Sequence, residues 1–82
     1  MEEPATRVKV SGLAFWAKRM AAGLEVKELA QRAGVSDSYV RKIERGSREY
    51  LTHDTYQRFR SALRANKTEL LAPTEAQTNE RK

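Results

Sequence analysis

The sequence predicts an all-α fold, a compact domain of five short helices. Three observations carry that expectation. Apolar residues recur three, four and seven positions apart in successive short windows between residues 11 and 71. Most windows open on a capping side chain, and three close on a glycine. The chain has 82 residues and no cysteine, so one small core must hold it, and short packed helices are the usual solution at this size.

The first helix follows Ser11, whose hydroxyl can accept from an early backbone N–H. Leu13, Phe15, Trp16 and Met20 give it apolar stripes, and Gly23 offers a left-handed stop. The second starts near Val26 and ends at Ala33–Gly34, with Leu24 and Leu29 at hydrophobic-staple spacing and Glu28 in the first turn. The third has Ser36 as cap, Tyr39, Val40 and Ile43 as its inner face, and Gly46 as stop. Thr52 caps the fourth, with Leu51 and Tyr56 as a second staple and Tyr56, Phe59 and Leu63 as a core stripe. The segment "LRANK" has no glycine to end this helix, so Arg64 is expected to extend it by a turn. Asn66 and Glu69 have capping-box spacing for a short fifth helix ending at Leu70–Leu71.

The polar stretches "MEEPAT" and "APTEAQTNERK" lack an apolar face. "RVKVS" alternates charged and apolar residues, which suits a short strand or a basic arm. The expected division is a flexible basic N-terminal arm over 1–10, a helix-turn-helix domain over 11–71 and a disordered C-terminal tail over 72–82, with little or no strand.

Composition narrows the chemistry. Sixteen Lys and Arg against eleven Asp and Glu give a formal charge of +5, which favours an anionic partner, nucleic acid first. A single histidine, His53, and no cysteine argue against a metal site or a His-based triad. There is no Gly-rich phosphate loop, no paired carboxylates in a cleft-forming context and no nucleophile–base set, so neither an enzyme nor a bound cofactor is expected. No apolar run approaches a membrane span and no signal peptide is visible, so a cytoplasmic protein is expected.

The second and third windows are each about two turns long and are joined by "AGVS". Gly34 permits a sharp turn, Ala30 is small enough for close helix crossing, and Val35 can plug the gap beneath. That is the helix-turn-helix pattern, in which the first helix braces on the DNA backbone and the second enters the major groove.

"ELAQRAGVSDSYVRKIERG" resembles the phage repressor and Cro-like (XRE-type) helix-turn-helix family, with similarity from about residue 13 to 71. The tightest match is Leu29-Ala30, Gly34-Val35-Ser36, Tyr39-Val40 and Ile43-Glu44-Arg45-Gly46. The resemblance implies a repressor-like five-helix fold that binds pseudo-palindromic double-stranded DNA as a homodimer. It also implies a buried ion pair between Arg19 and Glu44. Its base-reading positions fall on Asp37, Ser38 and Lys42, with Arg41 nearby. Lys42 can donate to guanine O6 or N7. Asp37 has three readings: an acceptor for cytosine N4, a charge that offsets the helix dipole, or a holder of Arg41 four residues on. Phosphate contacts are expected from Ser36, Tyr39, Arg45, Ser47 and Arg48, with Arg7 and Lys9 following the groove.

This chain departs from the family in places. Val26 stands where a glutamine commonly braces the DNA, and "SREYL" makes the loop before Thr52 about two residues longer. The fourth and fifth helices are the family's usual dimer surface, with Leu70, Leu71, Tyr50 and Leu51 as apolar candidates. The leading expectation is a small bacterial or phage-encoded, nucleoid-associated transcriptional regulator, most often a repressor. The alternative is an antitoxin or partner-binding module whose C-terminal tail meets a toxin or antirepressor.

Overall fold

A computed structural model describes residues 7–73. In chain order the elements are β1 (Arg7–Lys9), α1 (Gly12–Ala22), α2 (Val26–Ala33), α3 (Asp37–Arg45), β2 (Tyr50–Thr52) and α4 (His53–Leu63). Among the described residues there are thus four helices and one two-stranded antiparallel sheet, which corrects the expectation of five helices and gives small strand content where little or none was expected.

Each helix starts where its capping side chain dictates. Ser11 accepts from Ala14 N–H at 3.1 Å, Ser36 from Tyr39 N–H at 3.1 Å and Thr52 from Thr55 N–H at 3.2 Å. At the start of α2, Glu28 reaches back to accept from Glu25 N–H at 2.9 Å. Gly23, Gly34 and Gly46 close α1, α2 and α3 in the left-handed conformation.

α4 ends differently from expectation. Arg64 does not extend it but turns the chain, at φ 55° and ψ 44°. The chain has to turn there because Ala65 and Leu70, just beyond, are both buried. Ala65 N–H then donates back to Arg60 C=O at 3.0 Å, closing the end as a glycine would.

The capping box expected for a fifth helix forms, but it closes only a turn. Asn66 N–H donates to Glu69 at 2.8 Å, and Glu69 N–H donates to the Asn66 side chain at 3.0 Å. That backbone donor, together with Lys18 at 3.0 Å, holds the Glu69 carboxyl below the ordinary carboxylate value. The chain cannot continue as a helix because the next residues are recruited by the amino-terminal segment. Ser11 N–H donates to Leu70 C=O at 2.9 Å, Ala72 N–H to Lys9 C=O at 3.0 Å, and Val10 bridges Leu71.

The sheet pairs Arg7 with Thr52, Val8 with Leu51 and Lys9 with Tyr50. Residues 7–10 are therefore strand and bridge, not flexible arm. The additional residues of "SREYL" supply the second strand. The remainder of the expected arm, 1–6, and the tail from 74 onward lie outside the described residues. Ala72, expected in the tail, is buried.

The core gathers one face from every helix. Phe15, Leu29, Val40, Ile43, Leu51, Phe59 and Leu70 are its largest fully buried side chains. Phe15 meets Phe59 edge to face, with centroids 5.1 Å apart. Both staple pairs, Leu24 with Leu29 and Leu51 with Tyr56, are buried. Two of the apolar residues assigned to a dimer surface, Leu51 and Leu70, are 1% and 0% exposed and close the core instead. Among the described residues no helix is long and apolar enough to cross a membrane, and no three His, Cys, Asp or Glu side chains gather as metal ligands would.

Candidate nucleic-acid interface

α2 and α3 are joined by three residues, Gly34, Val35 and Ser36. Gly34 sits at φ 73°, Val35 N–H donates to Ala30 C=O at 2.9 Å, and Val35 is half-buried beneath the turn. The inner side of α3 is spent on the core, where Val40 and Ile43 are fully buried. Ser38, Arg41, Lys42 and Arg45 fall at i, i+3, i+4 and i+7, so they share the opposite face, and all four are exposed. No described carboxylate forms an ion pair with Arg41, Lys42 or Arg45.

Asp37 is the first residue of α3 and is partly buried. It forms no ion pair or hydrogen bond with Arg41, so the Arg41-holding role is not realised. Its carboxylate lies in the first turn, where a negative charge offsets the helix dipole.

Tyr39 is placed by stacking. Its ring lies nearly parallel to Phe59 of α4, with centroids 6.4 Å apart at 14°. Arg48 covers the ring at 5.1 Å, a cation–π contact that fixes this arginine beyond the end of α3. Ser36 uses its oxygen as the cap, which leaves its hydroxyl hydrogen to donate outward. Arg45, Ser47 and Arg48 are exposed, and the N–H groups of Ser47 and Arg48 both return to Lys42 C=O. Lys9, by contrast, lies beside Glu49 at 3.8 Å and the Tyr50 ring at 6.0 Å, on the sheet.

α3 is anchored from behind. Arg19 donates through Nε to Glu44 at 2.7 Å and through Nη2 at 3.0 Å, a two-bond fork, while Nη1 donates to Leu24 C=O at 2.9 Å. Both side chains are 11% exposed. The hydrogen bonds to Glu44 raise the Arg19 pKa above its ordinary value, so the guanidinium stays charged.

Two supports are not visible in the motif itself. Gly12 opens α1 directly against the end of α3. A Cβ there would collide with the Ile43 carbonyl oxygen and lie 2.8 Å from that of Glu44. A glycine at the first helical position, where almost any residue is tolerated, was the clue available in the sequence. Arg58 of α4 pairs with Asp54 at 3.1 Å, and one of its guanidinium nitrogens stands 3.4 Å from where a Cβ on Gly34 would be.

Residues 17–72 match the model of the helix-turn-helix domain family. The chain belongs to that family. The match makes this helix-turn-helix chain a DNA-binding protein of the transcription-regulator class, consistent with its XRE-type resemblance. Solved structures agree with it in fold. The restriction-modification controller protein C.AhdI from Aeromonas hydrophila is 32% identical, with 73% of this chain and 89% of that one covered and a TM-score of 0.67. The clp gene regulator ClgR from C. glutamicum is 31% identical over 67% of this chain and 70% of its own, with a TM-score of 0.61. A variant of the controller protein C.Esp1396I, at 22% identity and a TM-score of 0.61, shares the fold. No curated protein matches the sequence.

Proposed function

We propose that the chain is a sequence-specific regulator of transcription, a repressor, that binds double-stranded DNA as a homodimer on a pseudo-palindromic operator in the bacterial cytoplasm. The observation that carries this reading is the outer face of α3. It holds three cations that no described carboxylate pairs with, on a helix whose other face is locked into the core. In the major groove Lys42, with Arg41, addresses guanine O6 and N7, and Ser38 adapts to either role. Ser36, Tyr39, Arg45, Ser47 and Arg48 grip phosphates on either side, and the first N–H groups of α2 and α3 add to them. Asp37 either accepts from cytosine N4 or serves the helix end.

Binding to a preferred duplex is expected to weaken steeply with salt, because each neutralised phosphate releases counterions. Lys42→Ala is expected to flatten preference at particular base pairs, costing roughly 1–3 kcal/mol there. Arg45→Ala is expected to weaken all duplexes alike and to lower the salt slope by about one. Equal loss on every sequence for Lys42→Ala would remove it from the readers.

A further inference from the structure

A cleft of about 280 Å³ opens where β1, α4 and the turn over 67–70 meet. No residue of α2 or α3 lines it. Its floor is apolar, built from Val8, Tyr56 and Leu71. Its rim carries the nitrogen groups of His53, Arg60 and Lys67 and no acid. The acids beside them in the chain are spent elsewhere, Asp54 on Arg58 at 3.1 Å and Glu69 on Lys18 at 3.0 Å. No described carboxylate forms an ion pair with any of the three rim groups.

Two of these groups are held in place. Arg60 is half-buried, and it donates through Nε to Ala65 C=O at 3.3 Å and through Nη1 to Gln57 at 2.8 Å. Among the described residues nothing bonds to Nη2. Tyr56 donates its hydroxyl to Lys67 C=O at 2.8 Å, which pins the turn that carries Lys67 to α4. Burial raises the Tyr56 pKa and the Arg60 guanidinium opposes the rise, so the charge and the ring share one place.

We propose that this cleft binds a small organic acid, an apolar ring or branched chain that carries one carboxylate. The body covers Val8, Tyr56 and Leu71. The carboxylate meets Arg60, whose planar guanidinium suits its two oxygens, while His53 and Lys67 add charge from the rim. The chemistry is selective in both directions. A polyanion leaves the apolar floor wet, and a neutral apolar molecule covers the rim without replacing the water its charges lose. The volume lies near the ~300 Å³ lower end of small-molecule sites, so the ligand is a small one. The site is separate from α3 and stands whether or not that helix reads DNA.

Titration of the full chain with phenylacetate, followed through backbone amide chemical shifts, tests this. Saturable shifts are expected around Val8, along the start of α4 and over 67–71, with a dissociation constant on the order of 1 mM for a ligand of this size. Phenylacetamide, which keeps the ring and lacks the charge, and acetate, which keeps the charge and lacks the ring, are each expected to bind roughly tenfold more weakly or worse. His53→Glu and Lys67→Glu, both at exposed positions, put acids on the rim and are expected to weaken phenylacetate by a similar factor with unchanged thermal midpoints. Arg60→Gln is expected to abolish binding. Because it also loses the bond to Ala65, its thermal midpoint is recorded, and if it fails to fold the two rim variants decide. Shifts that do not saturate, or that map to α3, overturn the proposal. So does phenylacetamide binding as tightly as phenylacetate, or phenylacetate binding that survives both rim substitutions.

Discussion

At the scale of single residues, Asp37 and Arg64 each stand where a local rule is strained. In the proposed complex an acid at the start of α3 opposes phosphate, yet it occupies the first turn, where the dipole favours it. If Asp37 serves the helix end alone, Asp37→Ala is expected to tighten binding to every duplex while leaving base preference unchanged. A change of preference confined to one base pair would instead make it a cytosine reader. Quantitative binding to a panel of single-base operator variants separates the two. Arg64 carries a left-handed conformation that costs a non-glycine residue about 1–2 kcal/mol. Arg64→Gly relieves that strain but frees the unfolded chain, so a net gain of roughly 0.5–1 kcal/mol is expected in chemical denaturation. A loss of stability would show that the arginine side chain contributes more than its backbone costs.

At the scale of elements, α3 is held by α1 at both ends of their contact. Gly12 brings the backbones together, and the Arg19–Glu44 fork ties α3 to α1 and, through Leu24, to the entry of α2. Glu44→Ala strands an arginine that is nine-tenths buried and is expected to cost at least ~1.5 kcal/mol, read as a lowered thermal midpoint. Arg19→Lys is expected to recover little, because an ammonium cannot make the two-bond fork. An unchanged midpoint in Glu44→Ala would contradict the role given to the pair. The elements also show what was legible in the sequence. The caps at Ser11, Ser36 and Thr52, the two staples and the turn at Gly34 depend on residues a few positions apart, and each could be read directly. The strands were legible only in part: the alternation in "RVKVS" left a strand open as one of two readings, and nothing marked its partner. β1 and β2 have three residues each, and neither is stable without the other, about forty residues away. The Asn66–Glu69 box was read correctly as local chemistry, but hydrogen bonds from residues 9–11 decide that it ends as a turn.

At the scale of the whole molecule, the surface divides by chemistry. The outer face of α3 and the segment after it carry Arg41, Lys42, Arg45 and Arg48, while the outer face of α1 carries none of the charge. Under the proposed function, that separation assigns the polyanion to α3 and its following segment. The positions of the cationic face came from the family resemblance, and the i, i+3, i+4 and i+7 spacing of Ser38, Arg41, Lys42 and Arg45 agrees with it without tertiary information. The neutral face was not legible, because Leu13, Trp16 and Met20 read equally as core until burial is known. Selection of bound duplexes from a random pool, followed by sequencing, tests the central claim that α3 reads DNA sequence. The account predicts enrichment of a short motif repeated in inverted orientation, with preference at the base pairs met by Lys42 lost in Lys42→Ala. A bound pool with no enriched motif, or one unchanged by Lys42→Ala, would contradict it.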